Sequence, residues 1–219
     1  MRKTLFSLTT LAALAVLMLA CSKQTDEELM LKASGLAESG EFQKAVTNYD
    51  ILQRIHSDSP LRKEALFRGG LISAVRLNDT EQASSFFELL REDYPRTPVA
   101  EGAHSLDAFL NSEEGGDEAE VLYRVGLAYT NLLQDFDTGI SLLDELSEKY
   151  PENRRTPDAL FMKGFILANS VRDTARAGKT YRHFLNKYPE SQLASSVEWE
   201  LHNLGRDINE ITTLKEIKK

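Results

Sequence analysis

The sequence predicts an all-α protein built as a solenoid of antiparallel helix pairs. Three segments of ten residues align without gaps, namely residues 65–74, 121–130 and 159–168. Each is followed by a Tyr-Pro pair beginning at Tyr94, Tyr150 or Tyr188, and segments and pairs alike recur after 56 and then 38 residues. No stretch alternates apolar and polar residues for long, as a half-buried strand would. A fixed offset of this length is the signature of stacked repeats.

We expect each repeat unit to consist of two helices. Leu122, Val125 and Tyr129 lie three and four residues apart, which predicts a first helix with one apolar face. Ile140 and Leu143 begin a similar pattern in the second helix. The proline that follows lacks a backbone donor and cannot continue a helix, so we expect each second helix to end at the Tyr-Pro pair.

A glycine occupies the same place in all three aligned segments, at Gly70, Gly126 and Gly164. Glycine inside a helix costs up to about 1 kcal/mol relative to alanine. We therefore expect each glycine to lie where the second helix packs closely against the first.

A weaker first copy precedes these units, because Ala45 and Tyr49 fall on Ala83 and Phe87 after a shift of 38 residues. The interval of 56 exceeds 38 by the length of about one helix. Residues 98–110 are therefore predicted to form an inserted helix.

The pattern resembles the tetratricopeptide repeat family. Its members carry a small residue in the first helix, a small residue and then an aromatic in the second, and a closing proline. Two sets match this pattern, namely Gly70, Ala83, Phe87 and Pro95, and Gly164, Ala177, Tyr181 and Pro189. A third set, Gly126, Gly139, Leu143 and Pro151, follows it with glycine in place of alanine and leucine in place of the aromatic residue. The resemblance implies stacked helix pairs whose first helices form an inner wall that binds extended or helical peptides.

Residues 1–20 have the pattern of a signal peptide. A short basic start at Arg2 and Lys3 is followed by an uncharged, largely apolar stretch that is short for a membrane-spanning helix. Residues 18–20 and Cys21 resemble the lipobox of bacterial lipoproteins, which implies acylation of Cys21. The alternatives are an ordinary secretory signal with an unmodified cysteine, and a retained transmembrane helix.

The remaining chain is predicted to consist of a tether, two repeat pairs joined by a linker, and a tail. The second repeat pair is followed by a capping helix, which is predicted from the stripe of Leu193, Val197, Leu201 and Leu204. Trp199 lies within it and has two interpretations, cap packing or partner binding. The predicted ranges are 21–26 for the tether, 27–110 for the first repeat pair with the inserted helix, 111–116 for a linker, 117–207 for the second repeat pair with the cap, and 208–219 for an amphipathic tail.

The tail carries Ile208, Ile211, Leu214 and Ile217 at a spacing of three. This stripe has two open interpretations, packing on the cap or docking on a partner.

The charge balance excludes some partners. The chain has 26 Lys and Arg against 34 Asp and Glu, a net charge of -8. An acidic surface repels phosphate backbones, so we expect no nucleic-acid binding. The single cysteine allows no internal disulfide.

No motif in the sequence indicates catalysis. Residues 178–180 spell Gly-Lys-Thr, but Asp173 replaces the first glycine of a phosphate-binding loop. The four histidines are scattered without metal-site spacing, and Glu113 lies in a solvated linker rather than a walled site. We expect no enzymatic activity, cofactor, metal or small-molecule substrate.

The candidate partner-binding residues directly follow the aromatic residue at the third position of each aligned segment. They are Arg68, Arg124 and Met162. They could line the inner wall and meet acidic or apolar residues of a partner, whereas the alternative for both arginines is a solvated surface.

A lipid-anchored repeat protein with Tyr-Pro unit ends resembles the BamD type of outer-membrane lipoprotein. That resemblance implies a scaffold in β-barrel protein assembly, anchored in the outer membrane and facing the periplasm, with envelope proteins or peptides as partners. Two alternatives are a surface lipoprotein that captures ligands and a periplasmic coordinator of cell-wall and outer-membrane processes, similar to the CpoB type.

Overall fold

The computed structural model describes residues 24–113 and 115–206, and these residues form ten α-helices. The helices are α1 (Asp26–Glu38), α2 (Phe42–Ile55), α3 (Arg62–Arg76), α4 (Thr80–Asp93), α5 (Pro98–Leu110), α6 (Glu118–Leu132), α7 (Phe136–Lys149), α8 (Thr156–Asn169), α9 (Thr174–Lys187) and α10 (Ala194–Asn203). The predicted signal peptide, Cys21 and the tail 208–219 lie outside the described residues.

The all-α prediction of antiparallel helix pairs is confirmed. The chain divides into two compact units, the first through Asp107 and the second from Ala108. This division falls within the inserted helix α5, directly before the predicted linker.

In the first unit, α1 packs on α2, α2 on α3, and α3 on α4. Their apolar faces form a core of fully buried side chains, among them Leu29, Tyr49, Leu52, Leu66, Phe67 and Phe87. The inserted helix α5 also buries one face, through Ala100, Ala103 and Leu106. Ser84 on α4 donates a hydrogen bond of 2.5 Å to Asp107 on α5.

In the second unit, each helix from α6 to α10 packs on the next. Its buried residues include Leu122, Leu143, Tyr181 and Phe184. The capping helix α10 contributes Val197 to this core. The predicted cap stripe runs one residue too far, because α10 ends at Asn203 and Leu204 leaves the helical conformation with a ψ of 123°.

The turn from first to second helix has the same construction in every pair. The residue before the second-helix cap has a positive φ, between 51° and 79°, at Gly40, Asn78, Gln134 and Arg172. In the last three turns the next residue is an aspartate whose side chain accepts a hydrogen bond from the backbone N–H three residues later. This N-cap satisfies a donor that would otherwise lack a partner.

The prediction for the glycines is confirmed by the packing of the helix pairs. A Cβ atom added at Gly70 would meet the ring of Phe87, and one added at Gly164 would meet the ring of Tyr181, in both cases closer than 3.0 Å. At Gly126 the neighbour is the backbone carbonyl of Gly139, at 3.3 Å. Glycine therefore lets the second helix approach the first.

The second helices end as expected from the Tyr-Pro pairs. Tyr94, Tyr150 and Tyr188 are the C-caps of α4, α7 and α9, and each backbone N–H bonds to the carbonyl four residues earlier. Within residues 24–113 and 115–206, no helix has the length and hydrophobicity needed to cross a membrane.

Candidate protein-interaction site

A groove of about 700 Å³ lies in the second unit between α8, the turn that follows it, and α10. Two aromatic side chains line it, Phe165 and Trp199, which are 40% and 39% exposed. Phe165 also contacts Phe161, with ring centroids 6.3 Å apart. We name this feature the aromatic groove, lined by Phe165, Ala168, Asn169, Arg172, Trp199 and Asn203 among others.

A polar network joins α6 to the start of α8 in the same unit. Glu120 is 1% exposed and accepts hydrogen bonds from Arg155 Nε at 2.5 Å and Arg155 Nη2 at 3.0 Å. Arg124 Nε donates to the same carboxylate at 2.7 Å. Arg155 also donates to Asp158 at 2.9 Å, so the buried carboxylate and its main partner are both well bonded.

The network shifts the pKa values of both partners. Burial alone would raise the pKa of Glu120, but hydrogen bonds and charge from Arg155 and Arg124 bring it below its ordinary value. The hydrogen bonds from Arg155 to Glu120 raise the pKa of its guanidinium. Both groups therefore stay charged at neutral pH and hold the two helices together.

Aromatic rings lie against two of these cations. The guanidinium of Arg124 lies 4.3 Å from the centroid of the Phe109 ring, and that of Arg155 lies 4.9 Å from the Tyr123 ring. Burial raises the pKa of Tyr123. Cation–π contacts of this kind fix the side-chain orientation as well as adding attraction.

The comparison with protein families identifies the helix pairs that carry this geometry. Residues 120–153 and 158–191 match the tetratricopeptide repeat. Both segments are tetratricopeptide repeats. They span α6 with α7 and α8 with α9. No curated protein matches the chain.

Tetratricopeptide repeats imply protein partners, so the chain has the architecture of a protein-interaction scaffold. The aromatic groove lies at the end of the second matched repeat, where α10 adds a further helix. Trp199 stands 38 residues after Phe161, so α10 continues the register of the first helices.

The three predicted partner-binding residues occupy different surroundings. Arg68 is in the first unit and bonds to Glu64 at 2.7 Å, with its side chain 17% exposed. Arg124 is in the second unit and belongs to the Glu120 network. Met162 is half-buried on α8. The structure therefore places Arg124 and Met162 in the second compact unit, on two successive tetratricopeptide repeats, and Arg68 in the first unit.

Sequence reasoning missed Phe165 as a surface residue. The aligned segments show an apolar residue there, but only the orientation of α8 reveals that this ring is exposed. Trp199 had two open interpretations, and the structure shows a side chain that is partly packed and partly exposed in the aromatic groove.

The remaining sequence features lie in ordinary helical or loop positions. Gly178 and Lys179 fall inside α9, as expected, so their backbone amides belong to the helix. Among the residues that the structure describes, no three His, Cys, Asp or Glu side chains are grouped so that they could hold a metal ion.

Proposed function

We propose that this chain is a non-enzymatic scaffold of the bacterial cell envelope, anchored to a membrane through lipid on Cys21. The observation that carries the scaffold role is the pair of tetratricopeptide repeats with an exposed aromatic groove at their end. The anchor rests on the signal-like residues 1–20 and on the lipobox-like residues before Cys21.

The proposed partners are envelope proteins, including components that assemble β-barrel proteins in the outer membrane. Support comes from the resemblance of the chain to lipid-anchored repeat proteins of that kind. The proposed location is the periplasmic face of the outer membrane. Ser22, rather than Asp, follows Cys21, which is consistent with that location.

The binding surface is tested by photocrosslinking in intact envelopes. A photoreactive residue at Met162 samples the half-buried face of the second repeat, and one at Arg68 samples the first unit. A residue at Asn186, exposed on α9, is the matched control. We expect specific protein adducts from Met162 or Arg68 and none of the same mass from Asn186.

Mass spectrometry of the adducts separates the alternatives. Barrel-assembly components support the proposal. Importer subunits would instead indicate ligand capture, and cell-wall synthesis proteins would indicate the coordinator role. Equal adducts at all three positions would argue against a dedicated surface.

The anchor is tested separately by replacing Cys21 with alanine. We expect Cys21→Ala to leave the membrane fraction and to lose incorporated labelled fatty acid, because the acylated residue is gone. Ser22→Ala is the control and should remain membrane-bound. Retention of label in Cys21→Ala would contradict lipidation at this residue.

A further inference from the structure

The aromatic groove has no covering element among the residues that the structure describes. Phe165 and Trp199 face it from two different helices and are both about two-fifths exposed. Large apolar side chains that share one groove favour a partner that removes them from water. A groove of about 700 Å³ has room for several side chains of such a partner.

The chain leaves the described region at the rim of this same groove. Leu204, Gly205 and Arg206 all line it. Leu204 is held against α9, since a Cβ added at Gly178 would lie 3.2 Å from Leu204 Cδ2. Gly205 then turns the backbone with a φ of 79°, and the Arg206 amide donates to Asn203 at 3.0 Å. The described part of the chain therefore ends beside the groove.

The turn after α8, which also lines the groove, is fixed by hydrogen bonds. Arg172 has a φ of 62° in the turn after α8, and the Asp173 amide donates to the Leu167 carbonyl at 2.8 Å. Asp173 in turn caps α9 by accepting from the Arg176 amide. The groove is thus built from hydrogen-bonded backbone and packed helices, and it offers a defined surface to an occupant.

The sequence after Arg206 matches such an occupant in length and pattern. Residues 207–219 contain four apolar side chains, Ile208, Ile211, Leu214 and Ile217, separated by polar residues. A helix of this length would span about 20 Å, close to the length of α8. Because the segment is tethered at the rim, its effective concentration at the groove is of millimolar order.

We propose that residues 207–219 dock in the aromatic groove and cover Phe165 and Trp199 with their apolar side chains. A protein partner that uses the groove must then displace this segment. The proposal concerns the chain alone, so it stands or falls separately from the envelope role.

Trp199 is the single tryptophan of the chain, so its fluorescence reports the groove directly. We compare the purified full chain with a variant that ends at Arg206. The truncated variant is expected to emit at longer wavelength and to be quenched more strongly by acrylamide. Adding a synthetic peptide of residues 207–219 should reverse both changes in a saturable way.

A matched pair of full-length variants controls for loss of folding. Ile211→Asp with Leu214→Asp places two charges on the apolar stripe and should reproduce the effect of truncation. Thr212→Asp with Thr213→Asp adds the same charge off the stripe and should behave as the unmodified chain. Far-ultraviolet circular dichroism should show the helices of the repeats intact in both variants, with a difference no larger than the thirteen tail residues can cause.

Three results would overturn the proposal. The first is identical emission and quenching in the full and truncated chains. The second is protection of Trp199 that rises with protein concentration, which would assign the groove to a second copy. The third is an equal response of the two double variants, which would mean that the apolar stripe is not what covers Trp199.

Discussion

Glu120 and Arg155 link two successive tetratricopeptide repeats by a bidentate ion pair. Both carboxylate oxygens of Glu120 accept from the guanidinium, at 2.5 Å and 3.0 Å, and the carboxylate is almost fully buried. Glu120 lies in the first turn of α6, and Arg155 is the residue before α8. The pair therefore fixes the start of one first helix against the start of the next.

Replacing Glu120 with glutamine should lower the free energy of unfolding by about 2–3 kcal/mol. The amide keeps the shape of the side chain but turns one acceptor into a donor that faces two guanidinium groups. Arg155 retains Asp158 and is partly exposed, so the cost should stay below the largest values for buried pairs. Urea denaturation at pH 7 measures it. The exposed Glu190→Gln is the control and should change stability by less than about 0.5 kcal/mol.

The stabilisation from Glu120 should depend on pH. The pKa of Glu120 is lower in the folded chain than its ordinary value, so the folded state favours the charged form. This contribution is present above the unfolded pKa of about 4.3 and is lost as the pH falls through the lower folded value. The stability gap between the unmodified chain and Glu120→Gln should therefore shrink below about pH 4. A gap that stays constant down to pH 3 would contradict this account.

The repeat architecture could be predicted because each of its signals has a local physical cause. Gly70 and Gly164 recur since an aromatic ring from the second helix occupies the space of their missing side chain. Tyr94 and Tyr150 recur since the chain must leave the helix before proline. The inserted helix α5 followed from the mismatch between two intervals of the same repeat.

The ion pairs could be predicted from the sequence only in part. Glu64 and Glu120 each stand four residues before an arginine, a spacing that predicts a contact on one helix face. The hydrogen bond from Arg155 to Glu120 joins residues 35 positions apart in the sequence, and no local sequence pattern predicts it. The exposure of Phe165 likewise depends on how α8 is turned, which only tertiary packing decides.

The close contacts at the glycines predict a loss of stability on substitution with alanine. Gly164→Ala would place a methyl group against the buried ring of Tyr181, and Gly70→Ala would do so against Phe87. We expect each to cost about 1–3 kcal/mol, which exceeds the gain in helix propensity. Gly35 in α1 is the control, because a Cβ there meets nothing within 4 Å. Gly35→Ala should stabilise the chain by up to about 1 kcal/mol in the same chemical denaturation series. If all three substitutions stabilise, the packing is looser than described.

Tyr49 and Tyr181 occupy corresponding places on α2 and α9 but differ in hydrogen bonding. The Tyr49 hydroxyl lies 3.2 Å from Ser34 Oγ, whereas within the described chain the buried Tyr181 hydroxyl has no partner. Tyr181→Phe should therefore be neutral or stabilising by about 1 kcal/mol, since it removes an unsatisfied polar group. Tyr49→Phe should destabilise by about 1 kcal/mol. Thermal unfolding of the two variants side by side decides the matter, and a larger loss in Tyr181→Phe would indicate a hidden partner.

Burial also raises the pKa of the Tyr181 phenol. Its ionisation should be delayed until the chain unfolds, because the phenolate is poorly solvated in the core. An ultraviolet titration should be run on the unmodified chain and on Tyr181→Phe. The two chains should titrate alike while folded, and the unmodified chain should ionise one more tyrosine in the alkaline unfolding transition. Reversible titration of this residue in the folded chain would contradict its burial.

Gln134 adopts a φ of 55° in the turn between α6 and α7, where the first repeat has Gly40. A residue with a Cβ atom loses about 1–2 kcal/mol in this left-handed region, whereas glycine does not. Gln134→Gly should therefore raise the free energy of unfolding by about 0.5–1 kcal/mol, after allowance for the greater freedom of glycine in the unfolded chain. Ser141→Gly, exposed in the middle of α7, is the control and should lower it by about 0.5 kcal/mol. Opposite signs for the two glycine substitutions would follow from backbone conformation alone, whereas a loss at both positions would mean that Gln134 is not left-handed in solution.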